Sequence, residues 1–118
     1  MKTGYTGLKR LLYATQYSYQ GLRASWESEA AIRQELLLIM FLVPITFLLN
    51  ITSVEQVMLL FSLALIVVAE LLNTALETVV DRIGHEFNTL SGKAKDIGSA
   101  AVFVSLVTAF LTWLIILW

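Results

Sequence analysis

An all-α membrane protein, with three transmembrane helices behind an N-terminal amphipathic surface helix, is the fold class this sequence predicts, on three observations. The chain of 118 residues is 58% hydrophobic and only 14% charged, with a mean hydropathy of +0.77, which is too apolar for a soluble domain of this size. Three apolar segments, residues 30–51, 54–80 and 97–118, each reach the roughly 20 residues that cross a bilayer. All eight Lys and Arg fall outside the turn between the first two segments and outside the C-terminus. Together they predict a single membrane domain over residues 1–118.

The elements follow in order. Over residues 6–27, Leu8, Leu11, Leu12, Thr15, Tyr19, Leu22 and Trp26 recur at three- and four-residue spacing, with Lys9, Arg10, Gln16 and Gln20 elsewhere on the wheel. That is an amphipathic helix lying on the membrane surface, with Tyr13, Tyr17, Tyr19 and Trp26 suited to the headgroup region. No apolar signal-peptide core precedes it, because Lys2, Lys9, Arg10, Arg23, Glu27 and Glu29 interrupt the first thirty residues. The first span is the weakest: its uninterrupted apolar part runs from Leu36 to Leu49, so Ala30, Ala31 and Ile32 help it cross. Pro44 removes one hydrogen bond within it, which helix bundles tolerate. Lys2, Lys9, Arg10, Arg23 and Arg33 precede the first span and Arg82, Lys93 and Lys95 separate the second from the third. The positive-inside rule makes that side cytoplasmic, with the N-terminus inside and Trp118 outside.

The second span carries the sequence's sharpest feature. At 100° per residue, Glu70, Asn73, Glu77 and Asp81 share about 80° of arc on one face of a helix that must cross hydrocarbon. A carboxylate near mid-bilayer costs about 2.5 to 3.5 kcal/mol, and the apolar residues of segment 57–77 return only about 4 to 7 kcal/mol, so insertion is close to break-even. The polar face must therefore meet protein, water or bound ions rather than lipid tails. Three spans are too few to shield Glu70 and Glu77 within one subunit, so association is expected.

Two chemistries suit this face. A hard divalent cation prefers carboxylate oxygens, so Glu77, near the boundary, paired with Glu29 could hold magnesium against a nucleotide. The deeper Glu70, poorly hydrated, suits a general base. A plainer reading is that these groups join helices by hydrogen bonds. Lys95 and Asp96, at the start of the third span, combine a cation with backbone donors in a phosphate-facing arrangement, although a boundary lysine is more often an interfacial anchor. His85, the single histidine, reads as a solvated loop residue. Gly98, Ser99, Ala100 and Ala101 allow close helix approach. The absence of cysteine rules out disulfides and thiolate metal sites. No basic, aromatic-interleaved patch argues for nucleic acid, and no P-loop or kinase-type glycine loop occurs.

The strings GLRASWESEAAIRQE at 21–35, ELLNTALETVVDRIG at 70–84 and LSGKAKDIGSAAV at 90–102 closely resemble the small integral-membrane diacylglycerol kinases of Gram-negative bacteria. The resemblance covers nearly the whole chain, and the ExxNxxxExxxD pattern followed by the SGxAKDxGSAAV stretch is specific to that family. Related undecaprenol kinases share the second-helix pattern but look less like this chain before the first span. The resemblance implies a homotrimer with sites shared between subunits, transferring the γ-phosphate of MgATP to diacylglycerol at the cytoplasmic face of the bacterial inner membrane, with phosphatidic acid as product. It implies that Glu70 is the general base, that Asn73 orients the reacting groups, and that Glu29 and Glu77 hold the metal and nucleotide phosphates. Arg10, Tyr17, Glu86, Lys95 and Asp96 would contact ATP. Arg23, Ser25, Trp26, Ala31, Glu35, Ser99 and Trp113, together with Glu70, would contact the lipid. The chain departs from the family at Asn88, where a histidine is common. Undecaprenol kinase is the nearer alternative. A small ion-coupled transport subunit is the more distant one, disfavoured because the acids cluster in the cytoplasmic half and only Ser62 continues outward along the second span.

Overall fold

The computed structural model describes residue 4 and residues 6–118; Lys2, counted above among the cytoplasmic charges, lies outside the described residues. Four helices follow one another: α1 (Gly7–Ser28), α2 (Ala30–Leu48), α3 (Ser53–Ile83) and α4 (Thr89–Leu117). The last three are long and apolar enough to cross a membrane.

Local chemistry accounts for each boundary. Glu29 takes an extended conformation between α1 and α2 while its backbone N–H still bonds Ser25 O at 2.9 Å. Arg33 fastens that corner by donating from Nη1 to the carbonyls of Trp26 at 2.7 Å and Glu27 at 3.3 Å, which satisfies acceptors that α1 leaves open at its end. At the other end of the bundle, Thr52 and Glu55 form a reciprocal capping box at the start of α3. Asn88 caps α4, its Oδ1 accepting from Leu90 N at 2.9 Å and Ser91 N at 3.2 Å. With that cap α4 begins at Thr89, eight residues before the apolar segment expected over 97–118, and residues 84–88 join α3 to α4. Lys93, Lys95 and Asp96 therefore stand within α4, a turn or more past its start. Pro44 lies inside α2, which runs on past it.

Pair contacts set the register. Trp113 meets Ser62 and Lys95 meets Asp81, so α4 runs antiparallel to α3. Gln56 reaches Thr46, and Glu35 lies against Glu70, which makes α2 antiparallel to α3 as well. The most extensive packing is between α3 and α4, while α1 touches α2 and α3 only lightly. The buried apolar core is small: Ile32, Leu59, Leu63, Ile66, Val80 and Ala109. Large apolar side chains such as Leu37, Phe41, Phe61, Phe103 and Phe110 face outward, as suits a protein whose solvent is lipid. Along α1, Leu8, Leu11, Leu12, Tyr19, Leu22 and Trp26 also stay exposed, which leaves the amphipathic face free to lie on a membrane.

Candidate active site

The polar residues of α3 fall on three levels, each meeting a different neighbour. At the deepest, Glu70 is buried, and the carboxyl of Glu35 on α2 lies against it. Glu35 Oε2 is buried there without a hydrogen-bond partner. Glu35, expected as a lipid contact, thus also adjoins the candidate base.

One turn nearer the charged end, Asn73 donates from Nδ2 to Glu77 Oε1 at 3.0 Å. The bond holds one carboxylate oxygen and leaves the other for a ligand. Asn73 Oδ1 is buried and unpartnered, because it points at Gly98 of α4, where an added Cβ would overlap it and also touch Leu76 Cδ2. Glycine at 98 is what lets α4 approach the carboxamide. The small-residue stretch around it reads from sequence as packing; at this position the packing partner is a site residue.

At the third level Asp81 Oδ1 lies 2.7 Å from Lys95 Nζ. Lys95 is also close enough to Glu77 to feel its charge, as Asp81 is to His85. Beyond them the 84–88 turn carries Glu86 and His85, both exposed, and Asp96 is exposed on α4. Asn88 spends its side-chain oxygen on the helix cap, a role the sequence signals through an Asn directly before a helical run.

The remaining expected residues lie farther apart. Glu29 sits half-buried at the α1–α2 corner. Among the described residues no three His, Cys, Asp or Glu come together as a metal cluster, so Glu29 and Glu77 would need phosphate oxygens or water to complete a shell. On α1, Arg10 is exposed and Tyr17 half-buried, with its ring stacked on Tyr13 at a centroid distance of 6.5 Å. Arg23 pairs with Glu27 at 3.1 Å. Ser25 is buried, facing a groove of about 890 Å³ between α1 and α3 that Gly21, Leu22, Leu71, Ala75 and Thr78 also line. Trp26 is exposed, Ala31 half-buried and Ser99 exposed. Trp113 donates from Nε1 to Ser62 Oγ at 3.2 Å, which puts it about 16 Å along α3 from Asn73, at 1.5 Å of rise per residue.

Residues 16–117 match the family model described as prokaryotic diacylglycerol kinase. The diacylglycerol kinase of Escherichia coli strain K12 is 46% identical to this chain over 118 residues, covering 100% of this chain and 97% of its own length. That of Haemophilus influenzae is 47% identical over 108 residues, with 92% of each chain covered. That of Pseudomonas aeruginosa is 46% identical over 114 residues, with 97% of this chain and 93% of its own covered.

Proposed function

The chain belongs to the prokaryotic diacylglycerol kinase family, and we infer that it is an ATP-dependent lipid kinase whose chemistry runs on the Glu70, Asn73 and Glu77 face of α3. The γ-phosphate of MgATP passes to the free hydroxyl of 1,2-diacylglycerol, giving phosphatidic acid and ADP. The observation that carries this reading is a buried carboxylate in a spanning helix, one turn below an Asn–Glu pair held at 3.0 Å. Neither a bare anchor nor a packing interface has need of that.

Phosphoryl transfer asks for positioning and charge neutralisation more than for covalent catalysis. The lipid hydroxyl attacks the γ-phosphorus in line, its proton goes to the Glu70 carboxylate, and the bond to the bridging oxygen of ADP breaks. Glu35, against Glu70, keeps that carboxylate oriented. Asn73 fixes Glu77 through the bond from its Nδ2. The donor set offered by Glu29 and Glu77 is all oxygen, which fits magnesium; the ion would neutralise charge developing on the transferred phosphoryl group. Lys95 and Asp96, with Arg10, Tyr17 and Glu86, would hold ATP. The groove between α1 and α3 beside Ser25 suits the glycerol end of a lipid entering from the membrane surface, near Arg23 and Trp26. Trp113 reaches only lipid chains. The charge distribution supports a site facing the cytoplasm at the inner membrane, with the C-terminus periplasmic. The thin single-chain core supports a homotrimer with sites shared between subunits, since one copy covers so little of its apolar surface.

The test is transfer of labelled phosphate from MgATP to diacylglycerol and, in parallel, to undecaprenol, with purified protein in mixed micelles and Glu70→Gln as control. Labelling of diacylglycerol that disappears in the variant is the expected result. Preferential labelling of undecaprenol would reassign the substrate, and no labelling of either lipid by folded protein would overturn the reading.

A further inference from the structure

Asp81 closes the carboxylate face of α3, yet the chemistry above gives it no task. Its one described polar partner is Lys95, 14 residues on and across the α3–α4 turn, at 2.7 Å. The side chains of Lys95 and Asp81 are 43% and 47% exposed, and an ion pair so open to solvent contributes little to fold stability. What the pair does change is where Lys95 points. A lysine ammonium sits on a flexible four-carbon stem and loses rotamer freedom whenever a ligand immobilises it. Asp81 holds it in advance.

The surroundings show what it is held toward. Lys95 also feels the charge of Glu77, so its ammonium, bonded to Asp81, is near the residue read above as facing metal and phosphates. Asp81, Lys95, His85, Glu86, Asn88 and Ser91, with Val80 and Phe87, line a hollow of about 210 Å³ at the α3–α4 turn. The Asn88 cap fixes the start of the helix from which Lys95 projects.

We propose that Asp81 is a positioning residue for nucleotide binding: it takes one N–H of the Lys95 ammonium and leaves the other two directed at a phosphate of ATP. The inference rests on the reading of Lys95 as an ATP contact, and its test separates the two. Steady-state kinetics of full-length Asp81→Asn, Lys95→Met and the double variant, in mixed micelles with diacylglycerol, give KM for ATP, KM for lipid and kcat. Asp81→Asn raises KM for ATP by roughly three- to tenfold with kcat within about twofold and KM for lipid unchanged. Lys95→Met raises it at least as much, and Asp81→Asn adds nothing on top of Lys95→Met. Asp81→Glu, which keeps the charge, recovers most of the loss.

If Lys95→Met raises KM for ATP while Asp81→Asn leaves it unchanged, the inference falls and the Lys95 reading stands. A lower KM in Asp81→Asn would show that Asp81 competes with the nucleotide for Lys95, and would overturn it too. If Lys95→Met leaves KM for ATP unchanged, the reading of Lys95 itself fails. Equal losses in kcat, both KM values and melting temperature would reduce the pair to a helix staple.

Discussion

The two ends of the α3 bundle treat buried polar atoms differently. Toward the uncharged end, Thr46 Oγ1 donates to Val43 O at 2.8 Å and accepts from Gln56 Nε2 at 3.4 Å. Ser62 Oγ donates to Leu59 O at 2.7 Å and accepts from Trp113. Toward the charged end, Glu35 Oε2 and Asn73 Oδ1 are the buried side-chain atoms without a partner among the described residues, and both adjoin the Glu70–Glu77 stretch. A buried polar atom left unmatched costs about 1 to 3 kcal/mol, so the charged end carries a cost that the other end avoids. The contrast sets polar groups that pack at one end against the candidate site proposed at the other.

Changes at the charged end should therefore cost activity, and changes at the other end only stability. The largest effect is expected from Glu70→Gln, which should lower kcat by about 10²- to 10⁴-fold, the usual span for a lost general base, with KM for ATP nearly unchanged. A similar loss in KM alone would move Glu70 from catalysis to binding. Glu77→Gln should lower activity by about 10- to 100-fold and raise the magnesium concentration needed for half-maximal rate, as titration with magnesium at fixed ATP would record. Chelation of magnesium should abolish transfer in the unmodified protein, and re-addition restore it.

Gly98→Ala should come next. Its Cβ must displace the Asn73 carboxamide, so kcat should fall by roughly tenfold while helix content by circular dichroism stays unchanged. In an Asn73→Ser background the same substitution should cost much less, because the shorter side chain leaves room. The smallest effect belongs to the other end: Thr46→Val should leave kcat intact and lower unfolding stability by about 1 kcal/mol, one modest buried hydrogen bond. Loss of activity in Thr46→Val comparable to that in Gly98→Ala would erase the distinction between the two ends.

Local geometry made much of this legible in the chain. The three spans, the amphipathic α1 and the shared face of Glu70, Asn73, Glu77 and Asp81 follow from hydropathy and the 100° advance of a helix, which do not depend on neighbours. Two local signals were present and went unread: the Thr52–Glu55 capping box and the Asn88 cap. The second mattered more, since it starts α4 eight residues before the expected span and moves Lys95 from the helix start into its second turn. Family resemblance singled out Glu35 as a lipid contact. Its position against Glu70 could not be read, since 35 residues of chain separate them.

What the sequence alone determined about this protein is which residues lie on which helix face, how many helices are long and apolar enough to cross the membrane, and that ionisable groups fall within one of those spans. What the tertiary structure decided is which face meets which: Glu35 with Glu70, Gly98 with Asn73, Lys95 with Asp81, and Trp113 with Ser62 rather than with the carboxylates. The physical reason is one of range. A helix face is set by hydrogen bonds four residues apart, whereas the register between helices is set by where side chains allow two backbones to approach. Here the α3–α4 approach closes over the active-site carboxamide at one residue without a side chain, Gly98.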